Sequence, residues 1–177
     1  MNKATLLQDI RDIIRSDPDF PKPGIIFRDV TPLLGDARLF GASLDLLLEG
    51  YSKNNVDAIA GVDSRGFIFG AAAAARADLP FVPIRKKNKL PWRTYEESYE
   101  LEYGIDTLAI HQDAFRTGSK VLLVDDLLAT GGTALASLKL IHRCGAKLVG
   151  CAFLIELVDL GGSAKLKGVP MRSLIQY

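Results

Sequence analysis

The sequence predicts an α/β fold with a mainly parallel sheet flanked by helices, and three observations carry that expectation. Four short runs, "VDAIAGV" (56–62), "LPFVPI" (79–84), "KVLLV" (120–124) and "LVGCAFLIEL" (148–157), are β-branched and apolar, the composition of buried strands. Helix-length segments, "FIFGAAAAARA" and "GGTALASLKLIHRCGA", separate the runs in pairs. A strand–helix–strand unit implies a right-handed crossover and parallel strands. The 177 residues, 48% of them apolar, suit one domain whose sheet is covered by helices.

The elements follow in order. Leu6, Leu7, Ile10, Ile13 and Ile14 fall on one face of a helix from about Thr5 to Arg15. "SDPDFPKPG" then makes a stiff, extended connection, because three prolines restrict it. "IIFRDVTPLL" is a short apolar or extended piece around Arg28 and Asp29. A helix starts near Asp36 with Leu39, Phe40, Leu44, Leu47 and Leu48 inward. After the strand at 56–62, "DSRG" (63–66) is a turn, and the alanine-rich helix behind it should pack close on the sheet. The strand at 79–84 is weakened by its prolines, and "TLAIH" reads as a further strand. The strand at 120–124 leads to a helix with Leu135, Leu138 and Ile141 inward, then to the strand at 148–157. Residues 85–104 are the outlier: basic, then aromatic and acidic, with weak periodicity. No repeat or linker divides the chain, so residues 1–177 read as a single domain.

Bulk properties exclude several classes. A formal net charge of +1 gives no sign of a nucleic-acid surface. Cys144 and Cys151 lie seven apart and match no zinc or CxxC spacing, which points to reduced thiols in a cytosolic protein. "MNKATLLQDIRDIIR" carries charges inside its apolar pattern, unlike a signal peptide. The longest uncharged apolar stretch, Gly66 to Ala75, is about half what a bilayer requires. A soluble, cytoplasmic protein with no membrane or nucleic-acid partner is expected. His111 and His142, the only histidines, have no metal-ligand partner in spacing and suit structural or surface roles.

The most informative stretch is "VLLVDDLLATGGT" (121–133). Asp125 and Asp126 end a strand, where parallel α/β sheets bind ligands. The turn after them enters a helix, whose N-terminus offers free N–H groups and a positive dipole end. Gly131 and Gly132 permit close approach of an anion, and Thr130 and Thr133 add hydroxyls, so the turn reads as a phosphate cradle. It is neither a Walker A loop nor G-x-G-x-x-G. Adjacent carboxylates can straddle a ribose by accepting from its vicinal hydroxyls. The competing role, complementing the helix dipole, needs only one of the two acids.

These residues resemble the 5-phosphoribosyl pyrophosphate (PRPP) binding motif of the type I phosphoribosyltransferases. "FPKPGIIFRDVTPLL", "GVDSRGFIFG", "RKKNKLP", "YELEYG" and the final "SLIQY" are similar to the other blocks of the adenine branch, and they extend from about residue 19 to the end. The resemblance implies the type I fold, with a small N-terminal hood over about residues 1–35 that binds the base and a flexible lid loop over about 85–104. It implies an enzyme of purine salvage that joins adenine to PRPP, giving AMP and pyrophosphate. Mg²⁺ is expected through PRPP, with no separate protein metal site, and a homodimer is expected. A 6-oxopurine enzyme shares the PRPP motif and is the alternative. A regulator on the same fold would need a DNA-binding segment, which the sequence lacks.

Residue roles carry over onto matching positions. Asp125 and Asp126 would take the ribose hydroxyls, and Ala129, Thr130, Gly131, Gly132 and Thr133 the 5′-phosphate. Asp63, Ser64 and Arg65 would approach the pyrophosphate, with Arg65 also acting in catalysis; on composition alone "DSRG" is only a turn. Arg85, Lys86, Lys87, Lys89 and Arg93 place five positive charges within nine residues, either a solvated loop or an anion clamp. In the family reading, Arg85, Lys86 and Lys89 bind PRPP. Glu102, followed by Tyr103, would lie by the purine N7 and manage proton movement as N9 attacks C1′. The backbone around Ile26 and Arg28 would read the base, Ile26 and Leu127 would flank the ring, and Phe27 is either ligand-facing or core. Trp92 replaces the commoner small residue after "KLP" and would either stiffen the lid or contact a second subunit.

Overall fold

The computed structural model describes residues 2–101 and 104–177, in two compact units, 1–46 and 47–177. Glu102 and Tyr103 lie outside the described residues. The first unit opens with helix α1 (Lys3–Ile13), capped by Asn2, whose side-chain oxygen accepts the Thr5 N–H at 2.8 Å. That cap sets the start of the helix two positions before the expected Thr5. Strands β1 (Arg15–Pro18) and β2 (Ile26–Asp29) pair antiparallel, so the proline-rich connection contributes a strand and the turn between them. Asp29 accepts the Thr31 N–H at 2.9 Å and starts the short helix α2 (Thr31–Gly35). In α3 (Ala37–Leu47), Leu39, Leu44 and Leu47 are buried as expected, while Phe40 is half-buried.

The second unit is one sheet with two long helices. Its elements are β3 (Ala58–Val62), α4 (Arg65–Ala77), β4 (Phe81–Lys86), β5 (Thr94–Leu101), β6 (Gly104–His111), β7 (Lys120–Leu128), α5 (Gly132–Arg143), β8 (Lys147–Glu156) and β9 (Met171–Gln176). Strand order is β5-β6-β4-β3-β7-β8-β9. Strands β4, β3, β7, β8 and β9 run parallel, and the β5–β6 hairpin joins β4 antiparallel. Both predicted strand–helix–strand units are present. Every residue of β3 is buried, as its apolar run requires. Small residues let α4 rest on β3: a Cβ on Gly70 would lie 2.9 Å from the Phe81 ring and 3.3 Å from the Gly61 Cα. No described helix is long and apolar enough to cross a membrane.

Two expectations change. On α5 the buried residues are Gly132, Ala134, Ala136, Ser137, Leu140 and Ile141, whereas Leu135 and Leu138 are only half-buried. The small side chains allow the closest approach, so they centre the contact and the two leucines flank it. Second, much of 85–104 is regular structure. Arg85 and Lys86 close β4, and 94–101 pairs residue for residue with 104–111. Tyr95, Glu97 and Tyr99 turn inward and Glu96, Ser98 and Glu100 outward, an alternation hidden by its charges. Lys139 of α5 pairs with Glu97 at 2.7 Å, and the Arg143 guanidinium lies over the Tyr95 ring at 4.7 Å, tying the hairpin to that helix. Trp92 sits in the β4–β5 connection, exposed, with its ring edge-on to His111 at 6.3 Å. "MRSLIQ" adds a further strand, β9, that its mixed polarity conceals. Both cysteines are free and buried; burial pushes the Cys151 thiol up to about 12.

Candidate active site

The carboxyl ends of β3, β4 and β7 and the first turns of α4 and α5 surround a cavity of about 430 Å³. Its floor is the acid pair. Asp125 and Asp126 extend β7 itself and are 8% and 6% exposed. The backbone N–H of Asp126 donates to Asp125 Oδ1 at 2.9 Å, and Arg65 Nε meets Asp126 Oδ2 at 2.9 Å. Burial, then the adjacent Asp126 charge, pushes the Asp125 carboxyl well above the usual range. Burial also raises Asp126, against the lowering effect of Arg65. The floor is therefore polar, short of counter-charge and well suited to accept hydroxyl hydrogen bonds.

Beside the floor, residues 129–133 turn into α5. Gly131 has φ +77°, and no side chain caps the helix, which leaves its first N–H groups facing the cavity. The turn is braced from behind by Gly162 of the short 3₁₀ turn Gly162–Leu166. A Cβ on Gly131 would lie 2.4 Å from the Gly162 carbonyl oxygen, and one on Gly162 would lie 2.2 Å from the Ala129 carbonyl oxygen. The two backbones touch, so neither position admits a side chain. At the floor, a Cβ on Gly66 would lie 2.3 Å from Asp125 Oδ1.

The opposite wall begins at the cis Asp63–Ser64 peptide before α4. Arg85 Nε meets Asp63 Oδ2 at 3.0 Å, and Lys86 Nζ meets Asp106 Oδ2 at 3.2 Å. Asp63, Ser64, Arg65, Lys86, Asp125, Asp126, Leu127, Ala129, Thr130, Gly131, Gly132 and Thr133 all line the cavity. Arg85 reaches the wall through Asp63, whereas Lys89 and Arg93 are exposed and do not line it. Lys87 instead pairs with Glu96 at 2.8 Å. In the N-terminal unit, Ile26 is exposed, Phe27 and Arg28 are half-buried, and the Arg28 guanidinium donates to the Ser16 hydroxyl.

Sequence reasoning missed Tyr99 and Asp106, which the hairpin brings into the cavity wall, and Gly162. The inward alternation of Tyr95 and Tyr99 was the available signal for the first pair. Nothing local marks Gly162, because its partner is the distant turn. Among the described residues no three His, Cys, Asp or Glu side chains gather as a metal-ligand set.

Comparisons with known proteins agree with this geometry. A phosphoribosyl transferase domain matches residues 37–168. The adenine phosphoribosyltransferase of Maricaulis maris is 53% identical over 171 residues, covering 96% of this chain and 98% of that protein. The enzyme of the same name from Mesorhizobium japonicum is 53% identical over 175 residues, 98% of this chain and 94% of its own. Among solved structures, adenine phosphoribosyltransferase from Rhodothermus marinus matches with a TM-score of 0.93 at 47% identity, over 98% of this chain and 99% of that one. The Saccharomyces cerevisiae structure, complexed with D-2,5-dideoxy-2,5-imino-altritol 1,6-bisphosphate and adenine, matches at 0.91 with 37% identity, over 97% and 99% of the two chains.

Two outcomes follow from the geometry. A carboxyl whose pKa is raised on folding costs stability as pH rises above its unfolded value. The excess Tm of Asp125→Asn over wild type, measured without ligand, should therefore grow from near zero at about pH 4 to several degrees at about pH 8. A flat or reversed difference would contradict the burial cost. Gly162→Ala should keep the fold but displace the 129–131 turn, weakening ribose 5-phosphate binding at least about tenfold, or ~1.4 kcal/mol. Calorimetric titration checks it, and wild-type affinity would show that the brace is dispensable.

Proposed function

The chain belongs to the phosphoribosyl transferase family, and we propose that it is an adenine phosphoribosyltransferase, forming AMP and pyrophosphate from adenine and PRPP. One observation carries this reading: a buried pair of acids set beside an uncapped, glycine-lined helix N-terminus. A ribose 5-phosphate needs acceptors for vicinal hydroxyls and donors for a phosphate, side by side, and the cavity has both. The name shared by relatives about half identical over nearly the whole chain adds the base.

In the reaction the bond from C1′ to the pyrophosphate oxygen breaks, the bond from adenine N9 to C1′ forms, and the N9 proton leaves. Asp125 and Asp126 hold the ribose through its hydroxyls, and residues 129–133 hold the 5′-phosphate, which fixes C1′ between base and leaving group. Arg65 and Lys86 face the leaving pyrophosphate, whose negative charge grows as the bond breaks. Arg85 acts through Asp63, and Lys89 reaches PRPP from the β4–β5 connection. Mg²⁺ carried by PRPP would supply further neutralising charge at the leaving group. Asp63, Asp125 and Asp126 are hard oxygen donors that suit a hydrated Mg²⁺ brought in by PRPP.

The remaining roles rest on the family resemblance. Glu102, with Tyr103 beside it, manages the proton at the purine. Residues 26–28 read the base through their backbone, and Leu127 covers one face of the ring. A 6-oxopurine presents an acceptor where adenine presents its amine donor, so a backbone-read site leaves polar groups unpaired with the wrong base. A homodimer is part of this reading, with the exposed Trp92 available to a second subunit or to the lid; sedimentation tests it.

Pyrophosphate release from PRPP and Mg²⁺ should be strong with adenine and negligible with guanine, hypoxanthine and xanthine. Turnover with an oxopurine would keep the mechanism and overturn the base; no turnover with any base would overturn the reaction. Glu102→Leu should lower kcat by about 10²-fold or more with PRPP affinity retained. Wild-type turnover in that variant would remove the proton role.

A further inference from the structure

Both cations that line the cavity are already engaged by carboxylates, Arg65 by Asp126 and Lys86 by Asp106. The first pair belongs to sequence blocks already read. The second does not, since Asp106 comes from the hairpin. Its place follows from strand register: Lys86 is opposite Leu108 across β4–β6, and Tyr99 is opposite Asp106 across β5–β6. Asp106 and Leu108 are two residues apart, so they share a face, and the lysine reaches Asp106 along the diagonal.

Asp106 is well supplied with donors. The Thr107 N–H donates to Oδ1 at 2.8 Å, and the Tyr99 hydroxyl approaches Oδ2 at 3.4 Å beside Lys86 Nζ at 3.2 Å. Burial would raise its carboxyl, but the Thr107 and Lys86 hydrogen bonds and the lysine charge outweigh that and hold it below the usual range. Asp106 also holds the Lys86 ammonium above its ordinary value. Asp106 is therefore ionised, and Thr107 and Tyr99 still satisfy it if the lysine swings away.

We propose that Asp106 is a resident competitor for Lys86: it occupies the ammonium in the ligand-free cavity and thereby sets how tightly a pyrophosphate anion is held. The inference rests on the proposed function and deepens it. Lys86 is a point charge on a flexible stem with three donors, able to exchange one anion for another without rebuilding the wall. The exchange is cheap because the pair is partly open, with the Lys86 side chain 58% exposed and Asp106 22%. The Asp106 carboxylate makes the anion compete for the ammonium. It weakens the grip on pyrophosphate and so favours its release once the glycosidic bond has formed. Asp106 is a positioning residue, acting on the ligand through Lys86.

The test is calorimetric titration of the full chain with inorganic pyrophosphate at fixed Mg²⁺. It compares wild type, Asp106→Asn, Lys86→Met and the double variant. Asp106→Asn should tighten binding by roughly two- to fivefold, the worth of a partly exposed ion pair. Lys86→Met should weaken it, and Asp106→Asn should add nothing on the Lys86→Met background. A gain of affinity is not an outcome of damaged folding. Unchanged or weaker binding in Asp106→Asn would overturn the competitor role while leaving the proposed function standing. An equal gain on the Lys86→Met background would also overturn it, since the effect would then bypass the lysine. A wild-type chain that takes up no pyrophosphate would overturn both this inference and the reading beneath it.

Discussion

Two adjacent carboxylates buried at the end of a central strand are the constraint around which the second unit is arranged. Taking an ionised carboxylate out of water is costly unless hydrogen bonds and opposite charge compensate. Here compensation is partial: Asp126 has Arg65 and nearby backbone N–H groups, while Asp125 has the Asp126 N–H and the charge of Arg65 against its burial and the repulsion of its neighbour. The fold tolerates the arrangement because β7 is held on both sides by parallel strands, β3 and β8. A ligand rich in hydroxyls would supply further donors, so part of the cost of burying the pair would return as affinity.

Close backbone approach is the second requirement, and glycine meets it where the site needs it. Gly66 lets α4 begin directly over Asp125, and Gly131 and Gly162 press the 129–133 turn against the segment behind it. On the far side, a Cβ on Gly132 would lie 3.0 Å from the Tyr99 ring, so the hairpin also closes down on the start of α5. The turn is thus set by contacts from two other parts of the chain, the segment at Gly162 and the hairpin, and not by its own five residues alone. Ion pairs complete the wall, with Arg65 on Asp126, Arg85 on Asp63 and Lys86 on Asp106.

Much of this was legible in the sequence because buried parallel strands are nearly continuous apolar runs, and "VLLVDDLLATGGT" breaks that rule where chemistry enters. The two crossover units, the acid pair and the turn all came through in that way. The "TLAIH" half of β6 came through as well, but β5 did not, because its inward residues are tyrosines and a salt-bridged glutamate instead of aliphatics. Asp106 was lost with it, since its function depends on register across two strand pairs. Lys89, which the family reading gives to PRPP, lies beyond the end of β4 and outside the cavity lining, so its role is not legible from the strand pattern. Gly162 shows the same limit, as no local pattern reveals a contact with a turn some thirty residues earlier.

In the proposed function the acid pair reads the sugar while the adjoining turn reads its phosphate. Calorimetric titration of PRPP into the Asp125→Asn/Asp126→Asn double variant tests it most directly. The account predicts affinity lowered at least about tenfold, or ~1.4 kcal/mol, because charged acceptors are replaced by amides that form weaker hydrogen bonds with the ribose hydroxyls. PRPP affinity equal to that of the wild type would contradict it, leaving the buried pair without the role that explains its cost.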